Sequence, residues 1–388
     1  MDILLITSLF PYSEETSRTE KSFALHDFVK YWVKKNSVTV IRPYYRPNFK
    51  PFNEPVKIRK NDFNLENFKI INIPVLRIPV IEKYFYRKVE KYIKKNEFDV
   101  ILSHLRDSIM FSHDISAKFD IPFIAGIHYG DIVRLKNQWY RYRFKKPLEK
   151  AAVIGCRSEA IKKQFVKIFP EFINKIKIIN SGIKKDLIED KQFFIRKAER
   201  IMKNKKLKIF TAANFIKRKN IDLNLKALAR LKNEINWEYE IAGDGPEKKY
   251  LKEIVKELRI EKRVKFLGYI PQEEVLEKMK NADIFLMVSV PETFGLVYLE
   301  AMAKGCIVVG AKNWGIDGIV KEKINGFLCN PDIEDLNNKI INIEKLKRND
   351  KIKNIILNEY ETINKYILRK MALKYENIIK GLYEQRDY

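Results

Sequence analysis

Apolar and polar positions along the chain fall into two arrays of short apolar runs separated by amphipathic stretches. In the first array, Ile3–Thr7, Val38–Ile41, Val100–Leu102, Phe123–Gly126, Ala152–Gly155 and Lys177–Ile179 read as strands buried on both faces. Helical periodicity fills the gaps at Glu20–Lys34, Lys83–Lys95, Ser108–Phe119, Trp139–Glu149 and Glu159–Phe169. Alternation at these lengths predicts a parallel sheet with helices on both sides. The turn signal Asn180-Ser-Gly-Ile183 marks a crossing into a second domain, and the charged stretch 190–206 reads as a loose surface segment. A second alternating array starts at Leu207–Thr211. It continues through Glu238–Ala242, Val264–Leu267, Ile284–Val288, Cys306–Val309 and Gly326–Leu328. Pro246 suits the first turn of a helix, and the chain reads helical from about 332 onward. There is no repeat of solenoid period. No complete Gly-x-Gly-x-x-Gly fingerprint supports a nicotinamide-binding domain.

The chemistry concentrates in residues 282–310. Strand Ile284–Val288 is broken by Pro291 and Glu292, a helix is expected over Thr293–Lys304, and Gly305 suits its left-handed C-terminal cap. Such a unit sets a helix N-terminus at the carboxyl end of a parallel strand, where open α/β sheets bind ligands. The amides of Thr293, Phe294, Gly295 and Leu296 would favour a phosphate there, with Gly295 permitting close approach. Glu292 and Glu300 lie eight positions apart, about 12 Å along an uninterrupted helix. They could grip hydroxyls on either side of that anion, a layout matched by a nucleotide-sugar. The residues alone leave a plainer alternative open, in which Glu292 caps the helix and Glu300 pairs with Lys304.

The segment resembles the signature of retaining glycosyltransferases of the GT-B fold, the large family of bacterial polysaccharide and lipid-glycan transferases. The resemblance rests on Glu292-Thr-Phe-Gly295 followed by Glu300-Ala-Met-Ala-Lys-Gly305, two glutamates with seven residues between. Asn180-Ser-Gly-Ile183, Lys219-Asn-Ile-Asp222, Gly243-Asp-Gly-Pro-Glu247, Phe266-Leu-Gly-Tyr269 and Asn325-Gly-Phe327 appear in the family's order. It is strong over 180–330 and weaker over 1–180.

The resemblance implies an α/β architecture of two Rossmann-like, doubly wound domains facing a cleft. Residues 1–182 would bind acceptor and 183–365 the nucleotide-sugar, with 366–388 a helix crossing back to the first domain. It implies that Glu292 binds sugar hydroxyls, Glu300 the ribose, and Lys219 with the Gly295–Leu296 amides the diphosphate. Gly243, Gly268, Tyr269 and Ile270 would flank the donor. The family carries an arginine five residues before the lysine; here that position is Asn214, leaving Arg218 and Lys217 as candidate replacements. His128 aligns with a family histidine that contacts the transferred hexose, and histidine is a suitable proton handler near neutral pH. His104, also just after a strand, is the second candidate among only four histidines. Asp131 would orient His128 or bind acceptor. In the first strand–helix loop Arg18 or Lys21 could reach an anion, where relatives carry glycines that this loop lacks.

Composition adds context. The chain has 388 residues, enough for two domains, and its three cysteines are scattered without metal spacing, which favours a reducing, cytoplasmic setting. No apolar run approaches the roughly 18 residues of a membrane span. No Asp-x-Asp occurs, so neither a metal nor any other cofactor is expected, and the donor is expected to be a UDP-sugar in preference to a GDP-sugar. Net charge is +26, with +15 in residues 1–180. That field attracts anionic surfaces or polymers. Two stretches, Trp139–Lys146 and Tyr84–Lys95, mix rings with cations and could lie at a membrane interface or stack a glycan. A glycan or lipid-linked glycan is the expected acceptor. Two alternatives stay open: an epimerase of the same fold, and a basic nucleic-acid-binding protein, for which no recognised module is present.

Overall fold

The computed structural model describes residues 1–11, 24–45, 66–75, 79–94, 97–348 and 351–384. It divides into two compact units. The first comprises the described parts of Met1–Arg157, Ile161–Asn180 and Leu368–Tyr388, and the second Ser158–Ala160 with Ser181–Ile367.

In the first unit the strands are β1 (Asp2–Thr7), β2 (Ser37–Tyr45), β3 (Phe68–Val75), β4 (Val100–His104), β5 (Phe123–Ile127), β6 (Val153–Cys156) and β7 (Ile176–Ile178). They form a seven-stranded sheet in the order β3-β2-β1-β4-β5-β6-β7, and every pairing is parallel. Its helices are α1 (Ala24–Trp32), α2 (Pro79–Ile93), α3 (Arg106–Phe119), α4 (Tyr129–Arg134), α5 (Gln138–Lys150), α6 (Glu159–Ile168) and, from the far end of the sequence, α14 (Leu368–Glu384). Strand alternation explains the two-faced core. Ile3 and Leu5 of β1 pack with α1 and α14, whereas Leu4 and Ile6 face a separate cluster containing residues of α2, α3 and α5. Helix α14 is tied down by polar contacts as well. Trp32 Nε1 donates to the Ala372 carbonyl at 3.1 Å, and Asn36 Nδ2 to Glu376 Oε1 at 2.9 Å.

The second unit repeats the plan. Strands β8 (Leu207–Ala212), β9 (Trp237–Ala242), β10 (Val264–Gly268), β11 (Ile284–Met287), β12 (Ile307–Ala311) and β13 (Phe327–Cys329) form a parallel sheet in the order β10-β9-β8-β11-β12-β13. Around it lie α7 (Lys191–Lys203), α8 (Ile221–Arg230), α9 (Lys248–Glu257), α10 (Gln272–Asn281), α11 (Leu296–Ala303), α12 (Ile333–Leu346) and α13 (Lys351–Ile363). Ile209, Tyr239, Ile241, Leu286 and Val309 belong to one face's cluster, and Phe210, Ala242, Phe285, Met287 and Val308 to the other's. Both sheets change winding direction once, between β1 and β4 and between β8 and β11. Open α/β sheets bind ligands at the carboxyl ends of such strand pairs.

Four expectations need correction. The stretch 190–206 is no loose segment: Asp190 caps α7 by accepting from the Phe193 amide at 2.7 Å, and Phe194, Ala198 and Ile201 form a buried stripe at helical spacing. Strand β3 was not expected; it is an edge strand, where proline is tolerated, and its asparagine and proline blur the period-two signal. Pro246 precedes α9, whose N-cap is Glu247, instead of entering its first turn. The helix placed at Thr293–Lys304 begins only at Leu296. Residues 20–23 and the loop bearing Arg18 and Lys21 lie outside the described residues. Among the described residues no helix is long and apolar enough to cross a membrane.

Candidate active site

In the second unit, the loops after β8 and β11 converge. Lys219 closes a 3-10 turn (Lys217–Lys219) after β8, and Asn220, in the left-handed region, leads into α8. The Asn220 side chain donates to the Val288 carbonyl at 2.7 Å, and the Val290 amide donates to the Arg218 carbonyl at 2.7 Å, so the two loops are laced together. Glu292 receives what this lacing brings in. Its Oε2 accepts from Lys219 Nζ at 2.7 Å, from Arg218 at 3.2 Å and from Ser289 Oγ at 3.2 Å.

The electrostatics follow from burial. Desolvation pushes the Glu292 carboxyl up, but the Lys219 and Arg218 charges outweigh it and hold the group below the usual carboxylate range. Burial lowers the Lys219 ammonium, with Arg218 adding to the effect against Glu292. The result is a desolvated cluster of two cations and one carboxylate, a charge set suited to an anionic ligand.

Gly295 stands at the N-cap of α11 with φ +79°, a conformation open to glycine, and a Cβ there would meet the Tyr298 ring at 2.5 Å. The Tyr298 amide turns back to the Gly295 carbonyl at 3.1 Å, while the amides that open the helix, Leu296 and Val297, lack intrahelical partners by position. The expected row of amides is therefore shifted: Thr293 precedes the helix and its amide donates to Glu292 Oε1 at 3.1 Å, and Phe294 is buried. Glu292 lies outside the helix, so the 12 Å axial separation from Glu300 does not apply. Glu300 is buried on α11 and accepts from Gln272 Nε2 at 2.9 Å. Its suggested partner Lys304 instead bonds Glu189 at 2.6 Å.

The flanking loops close beside these groups. The Gly243 amide donates to the Gly268 carbonyl at 2.7 Å, and at Gly243 (φ +134°) a Cβ would collide with the Ala213 carbonyl. Tyr269 is 71% exposed, Ile270 packs on the unit's core, and Asn214 is exposed in the loop after β8. It is Arg218, and not Asn214, that stands beside Lys219 on Glu292. Sequence reasoning missed Ser289, Gln272 and Gly315, whose amide donates to the Glu292 carbonyl at 3.1 Å. Their position just after a strand or a glycine turn was the available signal.

In the first unit, His104 ends β4 and His128 follows β5 as the N-cap of α4. The structure brings them together, with His104 Nδ1 at 3.2 Å from His128 Nε2. Asp131 and His128 form a capping box at the start of α4, in which the Asp131 amide faces the His128 side chain. The Asp131 carboxylate accepts from the His128 backbone amide at 2.8 Å and so fixes the backbone. Burial, reinforced by Arg157, takes the His128 pKa down to about 3, so the near-neutral titration expected of it does not hold. His104 is lowered well below its ordinary value by burial and by its neighbours His128 and Arg157. Among the described residues no group of three or more His, Cys, Asp and Glu is placed to hold a metal.

Residues 191–361 match the family described as Glycosyl transferases group 1, and residues 24–187 match Glycosyltransferase Family 4. Each half of the chain thus matches a glycosyltransferase family. It is 26% identical over 252 residues to an uncharacterized glycosyltransferase of Methanocaldococcus jannaschii, covering 61% of this chain and 63% of that protein. It is 27% identical to the alpha-monoglucosyldiacylglycerol synthase of Streptococcus pneumoniae, covering 68% of this chain and 64% of that protein. An N-acetyl-alpha-D-glucosaminyl L-malate synthase of Bacillus anthracis is 35% identical over 147 residues, 38% of this chain and 36% of that protein. The chain thus spans between about a third and two thirds of the length of these curated relatives. Among solved structures, Anabaena HepE in complex with UDP superposes with a TM-score of 0.73 at 19% identity, covering 98% of this chain and 100% of that one. Sucrose-phosphate synthase of Thermosynechococcus elongatus gives 0.76 at 18%, covering 99% and 100%. At these identities the likeness shows the fold, which is GT-B.

Proposed function

We propose that this glycosyltransferase moves a hexose-type sugar from a nucleotide-sugar, a UDP-sugar in preference to a GDP-sugar, to a glycan or lipid-linked glycan. The anomeric configuration is retained, no metal or other cofactor takes part, and the product enters bacterial surface polysaccharide. The observation that carries the reading is the pair of cations, Lys219 and Arg218, held on Glu292 beside the N-terminus of α11. In this reading the second unit takes the donor. Lys219, Arg218 and the Gly295–Leu296 amides meet the diphosphate, Glu292 the sugar hydroxyls and Glu300 the ribose, with Gly243, Gly268, Tyr269 and Ile270 flanking. The cations stabilise charge that grows on the departing diphosphate. The acceptor hydroxyl attacks the face from which the diphosphate leaves and passes its proton to the phosphate oxygen. His128, in the first unit, hydrogen-bonds the transferred sugar, and acceptor recognition belongs to that unit. Two relatives' names support the substrate classes: HepE was crystallised with UDP-glucose, and the pneumococcal protein is a glucosyldiacylglycerol synthase.

A thermal-shift panel of UDP-, GDP- and ADP-sugars tests this. A donor at 100 times its dissociation constant stabilises by about 2.7 kcal/mol, and Glu292→Ala or Lys219→Ala should abolish the shift. Unchanged shifts in both variants would move the donor site elsewhere. An epimerase would process the donor alone, whereas a transferase releases nucleotide in step with added acceptor.

Helix α5 is proposed to bring the protein to the cytoplasmic face of an anionic membrane. Trp139 is 56% and Tyr142 83% exposed, and the Arg143 guanidinium lies 4.9 Å from the Trp139 ring centre.

A further inference from the structure

In the second unit, strands β8 and β11 separate before they end. They are paired only at Ile209–Ile284 and Phe210–Phe285. On their other sides both run on, β8 against β9 to Ala212–Ala242 and β11 against β12 to Met287–Gly310. The sheet therefore opens between Thr211 and Leu286, where its winding reverses. Side chains take the place of the lost pairing. The Leu286 carbonyl accepts from Thr211 Oγ1 and, at 3.4 Å, from Asn224 Nδ2. Two residues on, the Val288 carbonyl accepts from Asn220 Nδ2 at 2.7 Å. Asn220 and Asn224 lie one turn apart, with the Asn224 amide 3.2 Å from the Asn220 carbonyl, and so share a face of the helix. Four helical residues rise about 6 Å and two strand residues about 6.6 Å, so asparagines four apart meet alternate strand carbonyls.

We propose that Asn220, Asn224, Thr211 and Tyr239 are positioning residues for the cations of the donor site: their side chains bridge the opening in the sheet, fix the N-terminus of α8 against the end of β11, and so set Lys219 and Arg218 on Glu292. Lys219 adjoins Asn220 in the chain. Asn220 holds the left-handed conformation through which the Lys217–Lys219 turn enters α8, so a shift of this residue carries the lysine with it. The Arg218 carbonyl takes the Val290 amide at 2.7 Å, two residues beyond Val288. The cations are thus tied to the same short run of chain that leads to Glu292.

The inventory of donors gives the bridge one direction. Tyr239 Oη lies 2.7 Å from Thr211 Oγ1 and 3.2 Å from Asn224 Nδ2. Thr211, Asn224 and Tyr239 are fully buried, and burial pushes the Tyr239 phenol up to about 12, so it keeps its proton. The threonine proton goes to the Leu286 carbonyl, which accepts only. Tyr239 therefore donates to Thr211 and accepts from Asn224. One polar atom is left over: Asn224 Oδ1 is buried with no hydrogen-bond partner among the described residues. An orphaned buried acceptor costs stability that an apolar side chain would not. The contribution of Asn224 lies in what its Nδ2 holds in place.

The inference rests on the reading of Lys219 as a diphosphate contact, but its first measurement needs no donor. Amide hydrogen exchange on the full-length protein reads the Val290 amide, which reports the bond to the Arg218 carbonyl. In Thr211→Val and in Tyr239→Phe that amide should exchange roughly tenfold faster, the size of one lost hydrogen bond, while the amides of β12 stay as protected as in wild type. Thr211→Ser keeps the hydroxyl and should match wild type. The dissociation constant for UDP should rise roughly tenfold in Thr211→Val and Tyr239→Phe, as when outer partners of a site are removed. In a Lys219→Met background the same changes should add about twofold or less, because they act through the lysine. Unchanged exchange at Val290, acceleration shared by β12, or a Thr211→Ser as impaired as Thr211→Val would overturn the proposal. So would an undiminished effect on UDP in the Lys219→Met background. UDP bound by Lys219→Met as tightly as by wild type would instead remove the diphosphate reading of Lys219, and exchange at Val290 would still decide whether the bridge sets the loop.

Discussion

Two neutral histidines beside an arginine, His104 buried and His128 partly so, make the first unit sensitive to acid. His128 has a folded-state pKa of about 3 and His104 is well below its ordinary value, while both return to about 6.5 on unfolding. The unfolded chain therefore binds more protons below that point. The contribution to stability is intact above pH 6.5 and drains away as pH falls toward 3, at about 1.4 kcal/mol per pH unit for each histidine. Denaturant unfolding at pH 7 and pH 5 should show His128→Gln losing about 2 kcal/mol less than wild type over that interval; equal losses would contradict the burial-driven shift. This behaviour was not legible in the sequence. His128 and His104 could be singled out because each follows a strand, but their adjacency depends on β4 and β5 pairing in register, His104 opposite Gly126. The partnership of Glu292 with Lys219 was likewise invisible, because the two residues belong to loops 73 positions apart. The family pattern placed both in one site without saying that they touch.

At the level of elements, the sequence was most readable where burial was strongest. The second unit's central strands β11 and β12, buried on both faces, stood out as apolar runs, and the boundaries of the unit's strands shift by a residue or two. Helix α7 was lost among its charges, yet two of those charges have structural work. Lys197 is buried and donates to the carbonyls of Met279, Lys280 and Lys304, and Arg200 to those of Lys280 and Asn281, closing the carboxyl ends of α10 and α11. Composition alone cannot separate such a lysine from a solvated one. Helix α5 poses the opposite problem, since its rings looked equally suited to a core or a surface. Phe144 and Leu148 are the ones that turn inward, whereas Trp139 and Tyr142 are exposed among Arg143, Lys145 and Lys146. Vesicles of anionic lipid should therefore sediment the protein at low salt and release it at high salt, and Trp139→Ala with Tyr142→Ala should weaken that binding several-fold without altering stability. No salt-sensitive binding, or binding indifferent to both substitutions, would remove the membrane role of α5.

At the scale of the whole molecule, two cores of similar plan are built from unequal stretches of chain. The second unit is nearly continuous, Ser181–Ile367 with three residues from elsewhere. The first depends on α14, which supplies Leu368, Tyr375 and Ile379 to the cluster around Phe28 and Trp32. Burial of each such side chain stabilises by about 1.5–3 kcal/mol, so α14 carries a large part of a typical domain's 5–15 kcal/mol. The parallel alternation that revealed both sheets could not reveal this debt, because a helix records in its sequence which face is apolar but not which surface receives it. The asymmetry gives a direct expectation. A fragment spanning residues 181–367 keeps its sheet, both faces of its core, and Lys219, Arg218, Glu292, Gly295, Gln272 and Glu300 together. It should fold on its own and retain the stabilisation by nucleotide-sugar seen with the intact chain, whereas a chain ending at Ile367 should lose the first unit's cooperative transition and keep the second's. Calorimetry on the two truncations separates these outcomes. A fragment that folds but no longer responds to the donor would place part of donor recognition in the first unit, and a fragment that fails to fold would show that the second core is incomplete without it.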